Sequence, residues 1–256
     1  MRTLYVGDVH GCSRELAELL RSFNFKMGKD QLYFTGDVID KGPHNLHVLE
    51  IIRDYNGISV MGNHEENFME MYEARDDYDK FKDLVLQYTK IETDNPKKAF
   101  LDRFNIKDFS QAKKIYDTVR KFPYFLHTSH GFLVHAGVNP HLKNIDKTNK
   151  ALLTHIRRTT DGNPWFTSYK GIERVIFGHW AAQNYYEQEN AICLDTGCYH
   201  GFYLTGWCPE ENKFYQVKSK HKNNWPLGKD RKFKDMTDIF KDKDNVKKAR
   251  ELGLSI

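Results

Sequence analysis

Three times within roughly 70 residues the chain runs from a short apolar segment through a polar, glycine-bearing loop into a stretch with helical periodicity. The apolar segments are 2–6, 31–35 and 58–61, and the loops that follow read GDVHG at 7–11, GDVIDKGP at 36–43 and GNHE at 62–65. Ser13 suits the N-cap of a helix over 14–23, whose apolar face is Leu16, Leu19, Leu20 and Phe23. Leu46, Leu49 and Ile52 recur at helical spacing up to Tyr55, and a third helix is expected to start near Glu65. Such repetition implies parallel strands joined by right-handed crossovers. In sheets of that kind ligands sit beyond the carboxyl ends of the strands, where all three polar loops fall.

The pattern changes over 73–125. This segment is rich in charge and aromatics, with intermittent helical periodicity as in YDKFKDLVLQYTKI, and it predicts a mostly helical cap inserted between two halves of a fold. Further strands are expected at 132–134, 175–177, 191–194, 203–207 and 213–217. They are short and closely spaced, which predicts an antiparallel second sheet. The remainder, 219–256, reads as a basic tail with a helix over 238–251. From Lys213 onward there are 13 Lys/Arg against 6 Asp/Glu, so the net charge of +4 hides a balance of −3 over 1–212. Because FKDMTDIFKDKDNVKK interleaves Asp with Lys, the tail reads as a solvated helix face and not as a grip on nucleic acid.

A 39% hydrophobic share over 256 residues is enough for one buried core and excludes general disorder. The four cysteines form no CxxC pair, the chain opens on a strand-like run, and no stretch approaches the roughly 20 apolar residues of a membrane span. The expectation is a reduced, soluble, cytoplasmic protein whose thiols pack as small hydrophobes.

The loops carry donors of one chemical kind. Asp8 and His10 are one residue apart, so on an extended loop both can turn toward a single point past the strand end. Asp37 holds the equivalent place after the next strand, where its two oxygens can bridge two ions. Asn63 offers a neutral oxygen, and His135 and His179 follow the apolar runs FLV and VIF. Any one of these alone reads as a turn residue or a hydrogen-bonded histidine. Six nitrogen and oxygen donors phased on strand ends instead fit a pair of divalent ions about 3.5–4 Å apart.

With HAG at 135–137 and GH at 178–179, the motifs resemble the phosphoprotein phosphatase superfamily of calcineurin-like metallophosphoesterases, over roughly residues 1–218. The resemblance implies an α/β fold of the α+β kind: a β-sandwich flanked by helices, carrying the helical cap as an insertion. It implies that Asp8 and His10 bind a first metal, Asp37 bridges, and Asn63, His135 and His179 hold a second. Water or hydroxide between the ions is then the nucleophile, His64 protonates the leaving oxygen, and Asp40 orients His64. Manganese is the expected metal, with iron, zinc, magnesium, cobalt and nickel also suited to the donor set. Where the family usually has arginine after the second aspartate this chain has Lys41, a point charge without the bidentate fork. Lys41, Asn63 and one of Arg157 and Arg158 are expected to contact phosphate.

Within that superfamily Pro43, FGHWA at 177–181 and LDTGC at 194–198 resemble the symmetrical diadenosine tetraphosphatase branch, with bacterial and phage-type Ser/Thr phosphatases close in layout. The expected reaction is hydrolysis of diadenosine tetraphosphate to two ADP, with Trp165, Phe166, Trp180 or Tyr199 stacking bases. The alternative is a phosphomonoesterase acting on a phosphoprotein or a small ester, which Asp40 and His64 together support. Cleavage of a capped RNA end is a related option. A non-catalytic binding module is disfavoured because all six ligands and His64 are present. The expected partner is therefore a phosphorylated small molecule or nucleotide, with no membrane and no nucleic acid beyond a capped end.

Overall fold

The structure, a computed structural model, describes residues 1–181, 185–188 and 190–221; the helix expected over 238–251 lies outside them. Strands β1 (Thr3–Val6), β2 (Gln31–Phe34) and β3 (Ile58–Ser59) pair in parallel, as the threefold repetition predicts. Helices α1 (Ser13–Phe23) and α2 (Asn45–Asp54) make the crossovers, and α3 (Asn63–Glu73) follows β3. Leu16, Leu19, Leu20 and Phe23 form the buried face of α1, and Asn24 ends it at φ 55°. The cap differs from expectation. A turn closed by the Cys12 N–H on the Val9 carbonyl, at 3.0 Å, places Cys12 at the N-cap with no side-chain bond. Ser13 is therefore already helical, and its hydroxyl lies 3.2 Å from His47 Nδ1 of α2.

Three helices come next: α4 (Tyr78–Thr89), α5 (Pro96–Arg103) and α6 (Phe109–Val119). Asp77, Asn95 and Asp108 cap them by accepting from the backbone N–H of Lys80, Lys98 and Gln111. Their aromatics bind them to the rest of the molecule. Phe100 packs on Phe68 of α3 with ring centroids 5.5 Å apart, and on Phe81 and Phe104 at 5.6 and 5.2 Å. All four rings are fully buried, in one cluster with the apolar faces of α1 and α2.

The second half contains β4 (Phe125–Thr128), β5 (Gly131–Val134), α7 (Lys150–His155), α8 (Trp165–Ser168), β6 (Val175–Phe177), β7 (Tyr186–Gln188), β8 (Ala191–Cys193), β9 (Tyr203–Cys208) and β10 (Lys213–Lys218). The two sheets run β10-β9-β1-β2-β3 and β4-β5-β6-β8-β7. Two expectations are corrected by this order. The second sheet is mixed, with β5, β6 and β8 parallel and only its edges antiparallel. Parallel neighbours need a long crossover, and the 40 residues between β5 and β6 supply one. Strands β9 and β10 belong instead to the first sheet, where β9 runs antiparallel to β1 with Tyr5 opposite Trp207.

Tyr5, Val60, Leu133, Ile176, Ile192, Leu194 and Trp207 fill a buried layer fed by both sheets, which makes a sandwich with helices outside. Among the described residues no helix is long and apolar enough to cross a membrane. Phe100→Ala should destabilise the metal-free protein by about 3–5 kcal/mol in urea unfolding, because the cavity opens where four rings meet. A loss below about 1 kcal/mol would mean that the α4–α6 segment is not part of the cooperative core.

Candidate active site

The loops after the strands are held in backbone conformations that few residues adopt freely. His10, Asp37, Asp40, Lys41 and His179 have φ of 46°, 49°, 71°, 65° and 65°. Left-handed φ at a residue other than glycine costs of order 1–3 kcal/mol and persists only where the surroundings over-determine it. Here the first two loops are zipped by His10 N–H on the Asp37 carbonyl and Gly11 N–H on the Val38 carbonyl, both at 2.9 Å. The fully buried Glu65 carboxylate then accepts four backbone N–H groups, from Asp37, Val38, Ile39 and Gly62, at 2.8–3.1 Å. Burial and the field of Asp37 push the Glu65 carboxyl up to about 8, against the Ile39, Asp37 and Gly62 donors, which favour its anion. Space is equally tight. A Cβ on Gly62 would lie 2.3 Å from Asp37 Oδ1, and one on Gly178 would lie 1.9 Å from Asp8 Oδ1.

These loops bring all six expected donors together. His10 Nδ1 donates to the Ile39 carbonyl at 3.1 Å and His135 Nδ1 to the Thr35 carbonyl at 2.8 Å. Each ring therefore turns Nε2 toward the centre, as a metal-binding imidazole does. Asp37 Oδ2 lies 3.6 Å from His10 Nε2, 3.4 Å from His135 Nε2 and 3.8 Å from His64 Nε2. His135 Nε2 is 3.0 Å from Asn63 Oδ1 and 3.1 Å from His179 Nδ1. Asp8 accepts from the Thr35 hydroxyl at 2.9 Å and from the His179 backbone N–H at 3.0 Å. Two donor groups result, His10/Asp37/His64 and Asp37/His135/His179, and Asp37 is common to both.

The electrostatics fit cations. Burial pushes His10 and His179 well below the usual imidazole value, and His135 below it, so all three are neutral donors at pH 7. Asp8 is pushed well above the carboxylate range, by burial first and then by Asp195 and Asp37. Asp195, two residues past β8, joins Asp8 and Asp37 in the same pocket, and the sequence reading missed it. Its signal was an aspartate directly after the apolar run AICL, the arrangement already used for His135 and His179. Three carboxylates buried together are costly unless positive charge sits among them. Divalent metal ions on nitrogen and oxygen donors meet that need.

Beside this centre, His64 Nδ1 donates to Asp40 Oδ2 at 2.5 Å, and Arg103 from the end of α5 grips the same carboxylate with both arms, at 2.6 and 2.7 Å. Burial works against the Asp40 charge, but His64 and Arg103 together hold its carboxyl well below the usual carboxylate range. Arg103 was also absent from the sequence reading, since its run KKAFLDRFN looks like any charged helix face. Lys41 Nζ lies 3.0 Å from His10 Nε2. Arg157 Nε donates to His179 Nε2 at 3.1 Å, while Arg158 turns away and donates to the Gly162 carbonyl at 2.5 Å. Trp165, Phe166 and Trp180 are buried in the core beneath the second sheet and cannot stack a base; Tyr199 lines the pocket.

The calcineurin-like phosphoesterase family model matches residues 1–212. A symmetrical bis(5'-nucleosyl)-tetraphosphatase of Hamiltonella defensa is 28% identical over 84% of this chain and 96% of its own. An asymmetrical bis(5'-nucleosyl)-tetraphosphatase of Oceanobacillus iheyensis is 25% identical over 86% and 93%. A solved structure provisionally assigned as a diadenosine tetraphosphatase aligns with a TM-score of 0.68 at 26% identity, covering 86% of this chain and 95% of that one. A protein serine/threonine phosphatase of Saccharomyces cerevisiae shares the fold, with a TM-score of 0.53 at 13% identity over 88% and 82%.

The Arg103–Asp40 contact makes a measurable prediction. In a double-mutant cycle of Arg103→Ala and Asp40→Asn, unfolding free energies should be coupled by about 1–3 kcal/mol. With its pKa depressed, Asp40 contributes stability that is fully present above the unfolded value near 3.9 and lost only as pH falls below it, so the coupling should be flat from pH 5 to 8. Additivity within about 0.3 kcal/mol would contradict the contact.

Proposed function

Because this chain belongs to the calcineurin-like phosphoesterases and is a hydrolase of that family, we propose that it is a two-metal enzyme cleaving the phosphoanhydride bonds of a dinucleoside polyphosphate. Asp8, His10, Asp37, Asn63, His135 and His179 are the ligands in this reading. The observation that carries it is the sharing of Asp37 between two donor groups. The donor set is nitrogen and oxygen throughout and suits manganese, with iron, zinc, magnesium, cobalt and nickel as weaker fits. When bound, two such ions polarise phosphoryl oxygens and make water acidic enough to attack at neutral pH.

The side chains do the rest. Asp40 accepts the Nδ1 proton of His64, which leaves Nε2 facing the pocket to carry a proton to the departing oxygen. Arg103 keeps Asp40 in place, which supports reading the 73–125 helices of the 1–218 catalytic unit as a cap over the site. Lys41 and Arg157 line the pocket as cations for the non-bridging oxygens, and Arg157 stays charged at neutral pH although burial brings it down to about 10. Tyr199 at the pocket offers a face for one base.

The relatives named as tetraphosphatases support the dinucleotide substrate. The Asp40–His64 pair favours a second reading, a phosphomonoesterase acting on a phosphopeptide or small ester. One assay separates them: manganese-loaded protein is given diadenosine tetraphosphate and a phosphopeptide in parallel. Two ADP from the dinucleotide, formed at least tenfold faster than phosphate from the peptide, is the expected outcome, a margin of about 1.4 kcal/mol in barrier. Phosphate from the peptide with the dinucleotide intact would move the assignment to the second reading.

A further inference from the structure

A second convergence of donor groups lies at the start of α1 and uses no residue of the active-site pocket. Cys12 Sγ, a carboxylate oxygen of Glu15 and a ring nitrogen of His221 all lie within 4.8 Å of one another. The Cys12 thiol donates to the His10 carbonyl at 3.6 Å, and Cys198, from the loop after β8, is a further neighbour of that thiol just outside the three-donor group. Cys12, Glu15 and Cys198 are 1%, 3% and 2% exposed, and His221 is half-buried.

Core packing explains a buried thiol but not a buried carboxylate beside two of them. Glu15 Oε1 receives one backbone N–H, from Lys220 at 2.9 Å. Such a carboxylate is costly without a compensating charge. Two sulfurs, one imidazole nitrogen and one carboxylate oxygen are the donor types of a closed, four-ligand zinc site. Thiolates also select against the hard ions that suit the Asp37 centre.

We propose that Cys12, Glu15 and His221, with the neighbouring Cys198 as fourth ligand, form a structural site for a thiophilic divalent cation of the zinc type. The three converging donors join the start of α1 to the chain beyond β10, and Cys198 brings in the β8–β9 loop beside them. Two of these segments lead directly into the pocket, since His10 precedes Cys12 by two residues and Tyr199 and His200 follow Cys198. Tyr199 also packs on His221 with ring centroids 5.6 Å apart. A cation here fixes two walls of the active site from behind and anchors the chain where it leaves β10.

Cobalt(II) distinguishes the two centres in the full-length protein, because only thiolate ligation gives an intense sulfur-to-cobalt charge-transfer band in the near ultraviolet. The band is expected in the wild type and in Asp37→Asn; it should weaken in Cys12→Ser and in Cys198→Ser and vanish in the double variant. Zinc-loaded Cys198→Ser should carry one zinc fewer per chain than the wild type, and His221→Ala should weaken cobalt binding at the thiolate site. The Cys198→Ser and His221→Ala variants keep the test open if Cys12→Ser does not fold. Absence of the band in the wild type, or a band of undiminished intensity in both serine variants, overturns the proposal. So does recovery of Cys12 and Cys198 as a disulfide from zinc-loaded protein.

Discussion

Four backbone N–H groups converge on the Glu65 carboxylate, and where they converge determines where Asp37 and Asn63 can stand. Three of the four belong to the loop after β2 and one to the loop after β3, so a single buried side chain fixes both loops to the head of α3. Without that clamp Asp37, Asp40 and Lys41 would relax from left-handed φ into ordinary turns. Asp37 would lose its place between the histidines, and Asp40 would lose its line to His64. The parallel sheet places the loops side by side, and the carboxylate orders them.

The site so ordered carries its own electrostatic demand. Asp8, Asp37 and Asp195 are buried together, and the neighbouring histidines are held neutral, so protein charge alone balances the cluster poorly. Lys41 and Arg157 approach from two sides, each against a histidine ring nitrogen. Metal affinity, in this account, is the low-dielectric interior seeking cations where folding has put anions. The same argument at smaller scale applies to Glu15 and the thiols behind the site.

Much of this was legible in the sequence because its signals are local. Strand, glycine loop and helix repeat within a short window, and Asp8, His10, Asp37 and Asn63 stand at fixed places in that repeat. What was not legible depends on distant pairing. Nothing local shows that 203–207 pairs with β1, or that FLHT and YEQ, short and polar, are edge strands. Arg103 reaches Asp40 across 63 positions from a run that also carries the ordinary Lys98–Asp102 pair. Arg157 and Arg158 are separated by geometry alone: Arg158 enters an isolated bridge to Pro164, and its neighbour points the opposite way, into the site. Trp180 directly follows His179 in the sequence, yet it and Trp165 are buried as core.

The proposed metal centre depends on Asp37 above all. Wild-type protein and Asp37→Asn should be loaded with manganese, which the thiolate cluster does not favour, and metal content and hydrolysis read on the same samples. Two manganese ions per chain in the wild type, with metal and activity lost together in the variant, is the predicted result. An Asp37→Asn protein that keeps both ions and full activity would contradict it.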